Sequence, residues 1–393
     1  MGRQEIVDIR LRPGVEDGLE QPGVRMELIE ILKESDPLER ARLLAPKLQS
    51  LSPADLPQAV AAYQDVFFEI GDFEFQLLGS WWARFDPENA IVFGRDYWDA
   101  AGAPFGRAVI REWASTSPDE AMQYAIINTN ADDFFPYINS VITGWDESGQ
   151  PGLYDAVRQM GSGHQRQRAL MQIAERRTRR DGVDSVIEWV ESMPRSSMRD
   201  AHMHGQALVR VARAVTNVDP QRAAALAEKY VLAPKPYPVH MAAAVSKKWI
   251  HQDPEASMAW VSTLPEGAGR DRAAEDGYRM WARKDSDASM AWAAQQPLEA
   301  EWFQPALSVY ARQKARVDID EGIELALAVH HPKYRLMTIG KVVREWIFRE
   351  PELAVAWLEE SDLDEADKKR ILALQEVQTH LKKLGLVSAT PED

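Results

Sequence analysis

The chain has 393 residues, 45% of them hydrophobic and 27% charged, which suits a folded protein of two or three domains or one repetitive array. Its formal net charge of −15 argues against a general nucleic-acid binder, because gripping a phosphate backbone needs a basic surface. It has no cysteine, which excludes disulfides, thiolate metal sites and cysteine nucleophiles.

The first 24 residues hold Pro13, Gly14, Gly18, Pro22 and Gly23 and are expected to form an extended arm. They lack the apolar core of a signal peptide. The compartment is left unknown by the sequence: cytoplasmic as it stands, periplasmic if a signal segment has been removed. No apolar run approaches the ~18–20 residues of a membrane span, so no membrane insertion is expected.

Residues 25–73 read as N-terminal capping helices. "ESDPLERARLL" from Glu34 and "SPADLPQAVAAYQDVFF" from Ser52 each open on an Asp-Pro or Ser-Pro helix start, but at irregular spacing.

Residues 74–360 are repetitive. The clearest copies are "WIHQDPEASMAWVSTLPEG" from Trp249 and "WARKDSDASMAWAAQQP" from Trp281. Aligning a tryptophan, a capping residue four later and an apolar residue seven beyond that places the middle anchors at Asp86, Ser117, Gly149, Asp181, Asp219, Asp253, Asp285, Asp318 and Glu350. The Gly149 and Asp181 units fit the pattern least well. The spacing is about 32–34 residues for most units, the signature of a stacked supersecondary unit. Asp or Ser at the anchor can accept hydrogen bonds from the free N–H groups of a helix start, and Pro at 87, 118, 220, 254 and 351 occupies the first helical position. Glu88, Glu255 and Glu352 then set negative charge on the positive end of the helix dipole. In the preceding segment Met241, Val245 and Trp249 recur every four residues and form one stripe. Each unit is therefore read as a longer helix ending in the first tryptophan, a short turn and a shorter capped helix. The tryptophans are read as wedges between helices rather than as a row of exposed binding residues.

Residues 361–393 read as a C-terminal capping helix, "SDLDEADKKRILALQEVQTHLKKLG", followed by a frayed tail. The fold class expected is all-α: a superhelical solenoid of about nine antiparallel helix-pair repeats of about 32–34 residues, with capping helices.

The phrase "DPEASMAW" at 253–260 resembles the Asp-Pro-x5-Trp junction of tetratricopeptide repeats. The chain is closer to tetratricopeptide-like α-solenoids of bacterial proteins that repeat "W…DPEAAxAW…LP". The resemblance implies a superhelix and protein binding, and transfers no catalytic residue.

Candidate chemistry is sparse. Asp200, His202 and His204 could suggest a metal, but residues two apart on a helix point in different directions. His330 and His331 read as cations at a helix C-terminus before Pro332. "GSGHQRQR" from Gly161 lacks the spacing of a phosphate loop. The paired carboxylates Asp132–Asp133, Asp318–Asp320 and Glu359–Glu360 have surface or capping explanations. No cofactor and no metal are expected.

The band Arg158–Arg213 stands out in an acidic protein. Arg166, Arg168, Arg176, Arg179 and Arg180 form the candidate patch for an anionic partner, against the alternative of a solvated face neutralised by nearby Glu and Asp. The function expected is a non-catalytic scaffold binding a protein or peptide, an acidic one where that patch is used, and no long nucleic acid. The alternatives are an enzyme built on an α-helical array, or a glycan or small-ligand binder using exposed tryptophans.

Overall fold

A computed structural model describes residues 23–128, 134–160, 163–233, 240–373 and 375–384. All but the last two residues of the expected arm, the Asp132–Asp133 pair and the C-terminal tail lie outside these. Gly23 and Val24, assigned to the arm, belong instead to the first helix. Among the described residues the protein is helical throughout, with no strand. It divides into two compact units, residues 1–173 and 174–393.

In the first unit, α1 (Gly23–Leu32), α2 (Pro37–Ser50) and α3 (Leu56–Asp65) form the N-terminal layer, and α2 starts where Asp36 accepts from the Leu38 N–H at 2.9 Å. The longer helices α4 (Asp72–Trp82), α6 (Asp99–Thr116) and α8 (Phe134–Ser148) pack one on the next, with α5 (Pro87–Tyr97) and α7 (Pro118–Asn128) between them in sequence. Their core is aromatic. The Trp98 ring lies edge-on to Phe75 at 5.1 Å and to Phe105 at 5.0 Å, and Trp82 meets Phe93 at 5.4 Å. The third repeat departs from its expected register. Gly149, with φ of +68°, follows the end of α8, and the next helix, α9 (Leu153–Gln159), starts after Gly152. Gly152 has φ of +96°, which a side chain rarely adopts, so the turn there takes three extra residues.

α10 (Gly163–Arg180) crosses the division between the units. The second unit then continues with α11 (Val183–Glu191), α12 (Met198–Thr216), α13 (Pro220–Tyr230), α14 (Met241–Trp249), α15 (Pro254–Thr263), α16 (Ala268–Lys284), α17 (Ser286–Ala293), α18 (Gln304–Lys314), α19 (Ile319–Ala328), α20 (Pro332–Arg349) and α21 (Pro351–Glu360). Each of α12, α14, α16, α18 and α20 packs on the next of that series, and each also packs on the shorter helix that follows it.

The anchors work as helix starts. Asp219, Asp253, Asp285 and Asp318 each accept from the backbone N–H three residues on, at 2.9, 2.9, 3.0 and 3.1 Å. Asp86 instead accepts from the Asn89 amide, and Glu350 from the Trp346 indole at 3.0 Å. The fourth unit starts at Gly182, while Asp181 is bonded to Arg180.

The two aromatic positions of a unit meet each other: Trp113 with Tyr124 at 5.3 Å, Trp249 with Trp260 at 6.0 Å, Trp281 with Trp292 at 5.2 Å and Trp346 with Trp357 at 6.0 Å. All thirteen tryptophans are buried or half-buried. Wedging between helices is therefore what these rings do.

The C-terminal segment is not one helix. It forms α22 (Glu365–Leu372) and α23 (Gln375–Lys383), both packed on α20. A straight helix over this stretch would leave one end behind, whereas the break lets Ile371, Val377 and Leu381 all bury in the core of the last repeat.

Candidate binding surface

The five arginines singled out in the sequence all lie on α10, with Arg166 and Arg168 in the first unit and Arg176, Arg179 and Arg180 in the second. Arg166 is half-buried and turned back onto the end of α9, donating to the Met160 carbonyl at 2.7 Å. Arg180 makes a two-pronged bond to its neighbour Asp181 at 2.7 and 2.8 Å, and that bond holds the Asp181 carboxyl below the usual range. Arg177 lies over the Trp189 ring at 4.7 Å. Arg168 and Arg179 are exposed. Part of the arginine band thus serves the ends and neighbours of its own helix.

The histidines have structural surroundings. His204 is fully buried on α12, and burial, aided by the charge of Arg195, pulls it down to about 4. His202 is exposed and faces Gln206 at 3.0 Å. His331 does not sit at the end of α19; it opens α20, its ring accepting from the Lys333 N–H at 3.3 Å. Among the described residues, no three His, Asp or Glu side chains gather as a metal site would require.

A denser cationic site lies elsewhere in the second unit. A cleft of about 550 Å³ runs across α16, α18 and α20. Arg279 and Arg283 come from α16, Arg312 from α18 and Arg316 from the turn after it. α20 adds Lys341, Arg344 and Arg349, and the only carboxylate in the lining is Glu345. Three helices can deliver these side chains to one place because the packed series repeats its register. Arg279, Arg312 and Arg344 each stand two residues before the first-anchor position, occupied by Trp281, Lys314 and Trp346. Lys247 and Arg213 hold the same position in the two preceding units.

The cleft's cations differ in how they are held. Arg279 is neutralised by the buried carboxylates Glu275 and Asp276, the latter at 3.1 Å. Arg344 reaches Glu376 at 3.0 Å, and Arg349 meets Glu345 at 3.5 Å while donating to the Arg316 carbonyl at 3.0 Å. Arg312 uses its Nε on the Ser308 carbonyl of its own helix at 2.9 Å and has no carboxylate within ion-pair distance among the described residues. Lys341 has neither hydrogen bond nor ion pair among them. Burial, and then the charge of Arg279, push Arg312 down, and burial, then Arg312 and Arg279, push Lys341 down. Arg312 and Lys341 are thus half-buried cations that repel each other, with no carboxylate at ion-pair distance among the described residues and only the more distant pull of Glu275 to offset them.

The run on α10 stands out in the sequence because its charges are local. The cleft's signal was present in a different form: a basic residue recurring at one register position of the repeat. A second cleft, of about 740 Å³ in the first unit, is lined by Met122, Ile126 and Ile138 with Asp119 and Asp155, and offers no comparable convergence of one charge.

Comparison with known proteins found no matching family model, and neither a curated protein nor a solved structure with significant similarity to the chain.

Proposed function

We propose that the chain is a non-catalytic interaction scaffold, a tetratricopeptide-like superhelical solenoid of helix pairs that holds a partner protein on a basic surface of an otherwise acidic molecule. The observation that carries this reading is the recurrence of Arg213, Lys247, Arg279, Arg312 and Arg344 at one register position, ending in a cleft where Arg312 and Lys341 have no ion-pair partner among the described residues. A repeated fold that repeats a cation as well as its core residues presents an array of charge, and an array suits a partner that lies along it. The net charge of −15 means that most of the remaining surface would turn an acidic partner away, the arginine run on α10 being the exception. The packing of all thirteen tryptophans removes the feature that favoured a glycan binder.

The test is affinity capture from the source cell by the wild-type chain and two variants, with melting measured on each. Arg312→Glu with Lys341→Glu should lose the specific partner without a large change in melting. Joint replacement of Arg166, Arg168, Arg176, Arg179 and Arg180 by Glu tests the other patch, and should lower the melting temperature because Arg166 and Arg180 serve their own chain. Unchanged capture by both variants would remove the proposal. Small-angle scattering should show an elongated or curved particle, and a compact sphere would remove the superhelix.

A further inference from the structure

We propose that Arg312 and Lys341 form the seat of a phosphate monoester, carried on a phosphorylated side chain of the partner protein. This deepens the scaffold reading and rests on it.

The two cations meet at one level of the packed helices. Arg312 donates its Nε to the Ser308 carbonyl at 2.9 Å, which draws its guanidinium back along α18 toward Val309. The repeat that pairs Arg312 with Arg344 pairs Val309 with Lys341, so Lys341 stands on α20 at the level to which the guanidinium is drawn. α18 packs on α20, and both side chains line the same cleft. After burial, the charge of Arg312 is the strongest influence that pushes Lys341 down. With Nε engaged, the two Nη groups of Arg312 have no partner among the described residues, and neither has the Lys341 Nζ. Arg279 and Arg344 are held by their own carboxylates and are no part of the seat. Glu275, whose pull partly offsets the two cations, is itself paired with Arg279.

The open donors are a fork and a point charge. A pair of guanidinium Nη groups matches two oxygens of one anion, and an ammonium takes a further oxygen with little demand on direction. A carboxylate has two oxygens and one charge, so it would fill the fork and leave Lys341 as it is. A phosphate monoester has three terminal oxygens and a charge of about −1.5 to −2 at pH 7, which answers both cations at once. The cleft also has room for what carries the phosphate. Its volume of about 550 Å³ far exceeds one phosphate group and falls in the ~300–1,000 Å³ range of sites that enclose larger molecules. Phe348 and Val317 on its wall are 45% and 74% exposed, and they give the residues beside the phosphorylated one an apolar surface to lie on.

The experiment titrates the full chain with two fluorescent peptides of about ten otherwise neutral residues, one with a central phosphoserine and the other with two adjacent glutamates, which carry a similar charge. Inorganic phosphate is the free-anion probe. The phosphoserine peptide should bind about tenfold more tightly than its rival, and lose about tenfold in affinity in Arg312→Gln and again in Lys341→Gln. Lys341 makes no hydrogen bond or ion pair among the described residues, so the melting temperature of Lys341→Gln should hold or rise as the repulsion is relieved. That separates lost binding from a lost fold. Equal binding of the two peptides, or binding that neither substitution weakens, would overturn the phosphate seat. Inorganic phosphate binding as tightly as the phosphoserine peptide would make this a free-anion site and overturn the carrier. If the phosphoserine peptide does not bind while Arg312→Glu with Lys341→Glu still loses the cellular partner, the phosphate is wrong and the scaffold stands. If both charge-reversed variants capture as the wild type does, the scaffold reading falls, and the partner-borne phosphate with it.

Discussion

Single residues divide into those that fill space and those that end helices, and the two kinds should differ in measured cost. Trp260 is 8% exposed, rests against Trp249, and its indole donates to Glu228 of the preceding unit at 2.8 Å. Trp260→Ala should therefore cost about 3–5 kcal/mol in urea denaturation, through the cavity it leaves. Asp253→Ala removes one cap bond and should cost about 0.5–2 kcal/mol. Asp86→Ala should cost less than Asp253→Ala, because Asp86 holds the Asn89 side chain and caps no backbone N–H. If the two aspartates prove equal, side-chain capping is not what fixes these helix starts. His204 gives a residue-level pH effect. Its ordinary value is near 6.5 and its folded value is about 4, so the unfolded chain takes up the proton first as pH falls. The stability that its neutral form contributes is complete above about pH 6.5 and is lost between there and pH 4, by about 3 kcal/mol at most. Comparing melting of the wild type and His204→Met from pH 7.5 to pH 4.5 should show a shallower acid decline in the variant. An identical decline would place the acid sensitivity in the carboxylates alone.

At the scale of elements, the helix pairs were legible because their signals are local: Asp-Pro starts, apolar residues four apart, and a tryptophan at a fixed distance from each start. Asp219, Asp253 and Asp318 open helices as their spacing indicates. Legibility failed where a non-local cause decides. The start at Gly152 rather than Gly149 follows from a left-handed turn beneath the Trp145 ring, whose edge lies 3.0 Å from where a Gly152 Cβ would be. The break between α22 and α23 follows from their joint packing on α20. The cleft was hidden for a related reason, since Arg279, Arg312 and Lys341 are far apart in sequence and only helix packing brings them together. Helix spacing itself can be tested. α6 and α8 approach so closely that a Cβ on Gly144 would lie 2.0 Å from the Arg111 carbonyl oxygen. Backbone cannot swing aside as a side chain can, so Gly144→Ala should cost about 3 kcal/mol despite its better helix propensity. A neutral or stabilising result in thermal denaturation would show that the two helices are free to separate.

For the molecule as a whole, charge works in two directions at once. A net charge of −15 means that the folded chain repels itself, and salt relieves that repulsion. Under the proposed function the basic cleft would attract an acidic partner through the same screened forces. Raising ionic strength from about 0.05 M to about 0.5 M should therefore raise the melting temperature while weakening partner capture. If both moved together, stability and binding would not be separable in this protein, and loss of capture could be loss of fold. This opposition of sign makes salt a cleaner probe of the cleft than temperature.

The bonds that close helix ends in the second unit have a direction. Gln252 donates to the Thr216 carbonyl at 2.8 Å, Lys284 to the His251 carbonyl at 2.9 Å, and Arg349 to the Ala315 and Arg316 carbonyls at 3.2 and 3.0 Å. In each case the donor belongs to the later unit and the open carbonyl to the earlier one. During synthesis, the end of each long helix would thus wait, bonded only to water, until the following unit leaves the ribosome. Contacts between successive units are close in sequence, and such contacts form quickly. The nascent chain would zip forward in the order it is made, with each arrival sealing its predecessor. A ribosome stalled between two units would hold out a finished array with one frayed end, the point at which a protease or chaperone would meet it first.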